Sequence, residues 1–147
     1  MEIYIDRESG EEITGVAMNW LEYGMGLARA AAARSKDPWR KVGAVVLRHD
    51  NSVAGVGYNG FPAGMVEDWE DRESRRKFVI HAEANALRYC KPKEVGVLCC
   101  TTIPCNECLR LAAGYGIRKI AYGEQYEFDN TTIEIADHFG IELICVK

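Results

Sequence analysis

No apolar run in this chain approaches the roughly 18–20 residues that span a bilayer, so no membrane partner is expected. Proline is scarce at four residues, and no Pro- or Gly-rich linker, repeat or low-complexity tract divides the sequence. A single domain over residues 1–147 is the simplest reading. An excess of basic charge is also missing. The 18 Lys and Arg stand against 22 Asp and Glu, for a net charge of −4. That weighs against a broad basic surface, so no polynucleotide partner is expected. It leaves room for a small basic pocket, which bulk charge does not register. The N-terminus, MEIYIDRESGEE, lacks the basic start and apolar stretch of a signal peptide, which points to the cytoplasm. Thiols stay reduced there, so the six cysteines read as metal ligands or core rather than disulfides.

What is present is ordinary globular composition. Apolar residues make up 48% and charged residues 27%, enough buried surface to exclude disorder as the main state. Residues 14–34 predict a first helix, capped by Thr14, with Val16, Trp20, Tyr23 and Leu27 as its apolar stripe. Gly24 and Gly26 weaken it. VGAVVLR (42–48) and SVAGVGY (52–58) predict a hairpin. Residues 60–80 form a long charged connection, with a short helix around Glu70–Lys77. Connections of that length are usually functional. Helices over 81–90, 105–116 and 129–139 then alternate with strands over 96–102, 117–122 and 141–146. The order α-β-β-α-β-α-β-α-β predicts an α/β fold, a five-stranded mixed sheet with helices on both faces.

Two short segments, each at the start of a predicted helix, carry the chemistry: His81-Ala82-Glu83 and Pro104-Cys105-Asn106-Glu107-Cys108. Residues three apart on a helix face the same way, so both sulfurs can address one point. A helix N-terminus lowers a thiol's pKa and favours the thiolate that metals bind. Alone, C-x-x-C leaves metal, redox and packing roles open. His81 as a third ligand gives Cys2His, which leaves the fourth position of zinc open, as in catalytic sites. Zinc there would acidify a water. Glu83, two residues on, points away from the metal and suits a proton carrier. H-x-E with P-C-x-x-C is the signature of zinc nucleobase deaminases.

ARSKDPWRKVGAVV (33–46), GVGYNGFPAG (55–64), HAEANA (81–86) and IPCNECLRLAAGYGIRKIAYGEQY (103–126) resemble the dCMP deaminases of the cytidine and deoxycytidylate deaminase superfamily. The resemblance implies a three-layer α/β/α cytidine-deaminase-like fold. It also implies hydrolysis of dCMP to dUMP and ammonia, feeding thymidylate synthesis. On that likeness His81, Cys105 and Cys108 hold one Zn2+ per chain, and Glu83 is the catalytic proton shuttle. Tyr126 stacks on the base, Ala82 touches the substrate, and Asn59 lies near the sugar or base. The family's habits add a hexamer, activated by dCTP and inhibited by dTTP, with Mg2+ accompanying the triphosphate. Its allosteric motif matches Gly57, Tyr58, Asn59, Gly60 and Phe61. Trp39-Arg40-Lys41 departs from the family, standing where smaller polar residues are common.

A 5′-phosphate needs cationic or N–H donors. Ser35 and Lys36, with Arg34 behind them, precede the first strand of the hairpin and are the expected contacts. Arg72, Arg75, Arg76 and Lys77 interleave with acids and read as a solvated, self-paired helix, or alternatively as a triphosphate site at a subunit interface. The rival readings are a dCTP deaminase, deaminases of cytosine, cytidine, guanine or tRNA adenosine, and a non-catalytic zinc module. Glu83 separates the last from the rest, because a structural zinc site does not need it.

Overall fold

The computed structural model describes residues 2–5, 7–15, 17–125 and 130–147. The N-terminal stretch, expected to carry no element, forms a separate hairpin of β1 (Glu2–Ile5) and β2 (Glu12–Gly15). Thr14 lies in β2, opposite Ile3, and therefore caps nothing. The first helix, α1 (Trp20–Ala32), starts later than expected, because Asn19 accepts a hydrogen bond from the Glu22 amide at 2.9 Å.

Five strands make the main sheet: β3 (Gly43–Arg48), β4 (Val53–Tyr58), β5 (Val95–Thr102), β6 (Lys119–Glu124) and β7 (Glu142–Cys145). Their order is β4-β3-β5-β6-β7. β3 runs antiparallel to both neighbours, and β5, β6 and β7 are parallel. The parallel strands are joined through α4 (Asn106–Gly114) and α5 (Asn130–Phe139). The long connection holds α2 (Arg72–Phe78), and α3 (Ala82–Leu87) follows it.

Alternation along the strands divides the core between two faces. Ala44, Val46, Leu98, Cys100 and Ile120 pack against Ala82, Ala86, Leu87, Leu109 and Ala112 from α3 and α4. Val45, Leu47, Cys99 and Ala121 face the other way, where α1 supplies Met25 and Ala28. This is the expected three-layer architecture, and adjacent Cys99 and Cys100 serve opposite layers.

The aromatic stripe predicted for α1 is not its buried face. Trp20 is 55% exposed and stacks edge-on with Tyr23, while Gly24, Met25, Ala28 and Ala32 are buried. The cause is close approach of helix to sheet. A Cβ on Gly24 would lie 2.5 Å from the Cys99 sulfur, and one on Gly43 would lie 1.9 Å from the Ala28 carbonyl oxygen. Glycine alone fits where the backbones come this close, so Gly24 takes the buried position, Met25 fills the space beside it, and Trp20 and Tyr23 lie outside; Val16 lies outside the described residues. No described helix is long and apolar enough to cross a membrane.

The strand directions gather five chain ends at one edge of the sheet. β4 and β5 end there and β3 begins there, with Gly43 opposite Tyr58 and Ala44 opposite Cys100. Loops leading to α3 and α4 leave from the same edge.

Candidate active site

Two helix N-termini meet at that edge. His81 occupies the N-cap position of α3 and Cys105 that of α4, each with extended backbone. His81 makes no side-chain cap bond to α3, and the Cys105 sulfur turns toward Cys108 and His81. Cys108, one turn into α4, is buried. The Nδ1 atom of His81 lies 3.5 Å from the Cys105 Sγ and 3.4 Å from the Cys108 Sγ. The three donor atoms all fall within 4.8 Å of one another.

These spacings fit zinc. With Zn–S near 2.3 Å and Zn–N near 2.0 Å, tetrahedral ligands stand about 3.5–3.8 Å apart. The donor set of two thiols and an imidazole suits the same ion. The three groups are coupled electrically as well. Hydrogen bonds from Cys108 and then His81 hold the Cys105 thiol well below its usual range. Cys105 in turn raises Cys108, and the hydrogen bond to Cys105 raises His81. Within the cluster these contacts favour the thiolate at Cys105.

Glu83 follows in the first turn of α3 and is only 5% exposed. Burial pushes its carboxyl upward, against the pull of His81. The thiols of Cys108 and Cys100 lie beside it. Cys100 is at the same time fully buried core, as its place in an apolar strand implies.

A cavity of about 380 Å³ opens over these groups. His81, Ala82, Glu83 and Cys105 line it together with Asp37, Arg40, Val42, Asn59, Thr102 and Ile103. Arg75 and Arg76 from α2 line it too. The self-paired reading of α2 is corrected here. Arg75 donates to the Trp69 carbonyl and stacks on the Trp39 ring, and among the described residues Arg76 has no carboxylate partner.

The three expected phosphate contacts do not reach this cavity. Ser35 is 2% exposed and its hydroxyl donates to the Asn59 carbonyl at 2.9 Å. Lys36 pairs with Glu67 at 2.9 Å. Lys36 and Arg34 line a neighbouring cavity of about 360 Å³, with Gly57, Tyr58, Gly60 and Phe61. Asn59 borders both cavities. It is buried and largely committed to its neighbours. Its Oδ1 accepts from Val42 N at 2.9 Å, and its Nδ2 donates to Arg40 O at 2.9 Å and Asp37 Oδ2 at 3.2 Å. It thus pins the 37–42 loop against the end of β4. Tyr126 lies outside the described residues.

The model of the cytidine and deoxycytidylate deaminase zinc-binding region matches residues 18–124. A deoxycytidylate deaminase of Mycobacterium phage D29 is 38% identical over 125 residues, covering 73% of this chain and 96% of that protein. The human deoxycytidylate deaminase is 35% identical over 115 residues, covering 71% of this chain and 65% of its own length. The chain thus spans just under two thirds of the human relative. Among solved structures, the dCMP deaminase of cyanophage S-TIM5, in complex with dCMP and dUMP, superposes with a TM-score of 0.74. It shares 30% identity and covers 85% of this chain and 95% of that one.

Proposed function

The chain belongs to the cytidine and deoxycytidylate deaminase family, and on that footing we propose that it hydrolyses dCMP to dUMP and ammonia. The observation that carries this reading is a buried carboxylate, Glu83, in one cavity with a His/Cys/Cys donor set of zinc spacing. His81, Cys105 and Cys108 would hold the ion, which supplies Lewis-acid activation of water when bound.

Glu83 accepts a proton from the attacking water and delivers it to N3 of the cytosine ring. It then carries the remaining proton of that oxygen, now the C4 hydroxyl, to the exocyclic nitrogen; the C4–N bond breaks, ammonia leaves and C4 becomes a carbonyl. Burial suits Glu83 to both duties, since it brings the carboxyl's proton affinity closer to that of its partners. Ala82 and Asn59, on the cavity wall, border the base and sugar. Tyr126 is assigned the stacking face for the ring. One zinc serves one catalytic domain over residues 1–147, acting in the cytoplasm.

The neighbouring cavity supports regulation. Gly57, Tyr58, Asn59, Gly60 and Phe61 line it beside the cations Arg34 and Lys36, a setting for a nucleoside triphosphate with Mg2+. We assign dCTP as activator and dTTP as inhibitor there, in a homo-hexamer.

Absorbance of the zinc-loaded protein with dCMP, deoxycytidine and dCTP in parallel tests the substrate. Loss of the cytosine signal with dCMP alone is expected, and loss with dCTP alone would replace this substrate assignment. Glu83→Gln should retain zinc and lose turnover by about 10³-fold or more, at the upper range of general acid–base effects. Undiminished turnover in that variant would sink the mechanism.

A further inference from the structure

We propose that Arg40, Arg75 and Arg76 form the phosphate-recognition wall of the catalytic cavity, with Trp39 as the residue that positions Arg75. The proposal rests on the dCMP reading and names the part of the site that selects a nucleotide over a nucleoside. All three guanidinium residues line the cavity that holds His81 and Glu83, whereas Arg34 and Lys36 line the other one.

Arg75 is fixed at two points. Its Nη1 donates to the Trp69 carbonyl, and its guanidinium carbon lies 4.1 Å from the centre of the Trp39 ring. A guanidinium held over an indole face by its carbon still has N–H groups to offer, since Arg has five of them and the Trp69 carbonyl takes one. The fork is therefore preorganised for an oxyanion. This also accounts for Trp39, which is 63% exposed on a polar turn. It serves as the platform for Arg75 rather than as core.

Arg40 is held by the backbone of the same turn. Asp37 Oδ1 accepts from the Trp39 amide at 2.8 Å and the Arg40 amide at 3.0 Å. Asp37 Oδ2 accepts from Asn59 Nδ2 at 3.2 Å. The one carboxylate in this part of the wall is thus engaged by three N–H donors, and a phosphate does not meet a bare acid.

The test compares dUMP with deoxyuridine by isothermal titration, and dCMP with deoxycytidine by turnover, on the zinc-loaded full chain. Arg75→Ala and Arg76→Ala should each lower the nucleotide-over-nucleoside preference about 10- to 100-fold, the usual weight of a charged hydrogen bond. In turnover the loss should appear in KM. Arg76→Lys should recover part of it. Trp39→Ala should weaken dUMP binding less than Arg75→Ala does, and Trp39→Phe should restore it. Lys77→Ala removes the same charge from α2 without lining the cavity, and should leave the preference unchanged. Arg76 is exposed, so its variants keep the fold, which circular dichroism and zinc content verify. An unchanged preference in both arginine variants overturns the wall and leaves the deaminase reading standing. A wild-type protein that binds dUMP no better than deoxyuridine also overturns it. A wild type that shows the binding pattern yet never deaminates dCMP sustains the wall and overturns the deaminase reading.

Discussion

Replacing Gly57 with alanine tests whether the fold aims the catalytic residues. A Cβ there would lie 2.4 Å from the Ala86 nitrogen, 2.6 Å from the Ala82 carbonyl oxygen and 2.8 Å from the Asn85 carbonyl carbon. All three atoms are backbone of α3, so no rotamer change relieves the clash. The helix must move outward by about 1 Å to reach ordinary contact. Overpacking of this kind costs about 1–3 kcal/mol, and a backbone obstacle puts it at the upper end. For a domain of this size 3 kcal/mol lowers Tm by roughly 6–12 °C. The same movement carries His81 and Glu83 with it, because both sit at the N-terminus of α3. A misplacement of about 1 Å at a reacting centre costs on the order of 10²-fold in rate. Scanning calorimetry and dCMP turnover with zinc at saturation read the two effects. A Tm within 2 °C of wild type (about 1 kcal/mol or less) with full turnover would refute the reasoning. It would show that α3 and β4 yield without disturbing the site.

Two further outcomes follow from the same packing. In α1, Gly24→Ala should destabilise by about 1–3 kcal/mol, since its Cβ would lie 2.5 Å from the buried Cys99 sulfur. Gly26→Ala, with nothing within 4 Å, should stabilise by about 0.5–1 kcal/mol, and denaturant melts resolve the opposite signs. Thiol titration with a chromogenic disulfide in the native protein should find Cys145 first, because it is exposed. Cys99, raised to about 11 by burial, and Cys100, also raised by burial, should stay unreactive at pH 8 and become reactive on unfolding. Chelation of zinc should add Cys105 to the reactive set, since its thiolate is then released.

Much of this was legible because single residues report it. The continuous apolar runs of β3 and β5 gave the strands, and a run without polar alternates is what burial on both faces requires. H-x-E and P-C-x-x-C gave the donor set, because each lies at the start of a helix where the chain can turn side chains to a common point. The N-terminal hairpin was missed because Ile3 and Ile5 make only a short alternation among acidic and polar neighbours. The buried face of α1 was misread because aromatics outweigh glycine and alanine in any hydrophobic count. Only the distance between helix and sheet shows that small residues must face inward. Besides the places read for it in the sequence, Asn59 holds the 37–42 loop through both ends of its amide, a contact only the fold brings about. The first glycine of GYNG likewise has a packing reason, the passage of α3 over β4, that its motif does not reveal.

The arginines were the hardest to place, and charge explains why. Along the sequence, Arg75 and Arg76 follow Glu70, Asp71 and Glu73, so the segment reads as balanced. In space the acids cap and begin α2, where Asp71 accepts from the Glu73 amide, while Arg75 and Arg76 turn to the cavity. A chain of net charge −4 therefore presents a wall of three arginines beside its reaction centre. With zinc bound by two thiolates, the metal adds no formal excess charge. The cationic surplus of the cavity then comes from these arginines, set against Asp37 and Glu83. A phosphate monoester carries close to two negative charges near neutral pH, which this wall can largely meet. Raising the salt concentration should erode the preference for dCMP over deoxycytidine in the wild type. Arg76→Ala should flatten that dependence, because the wall it tests is partly exposed to solvent.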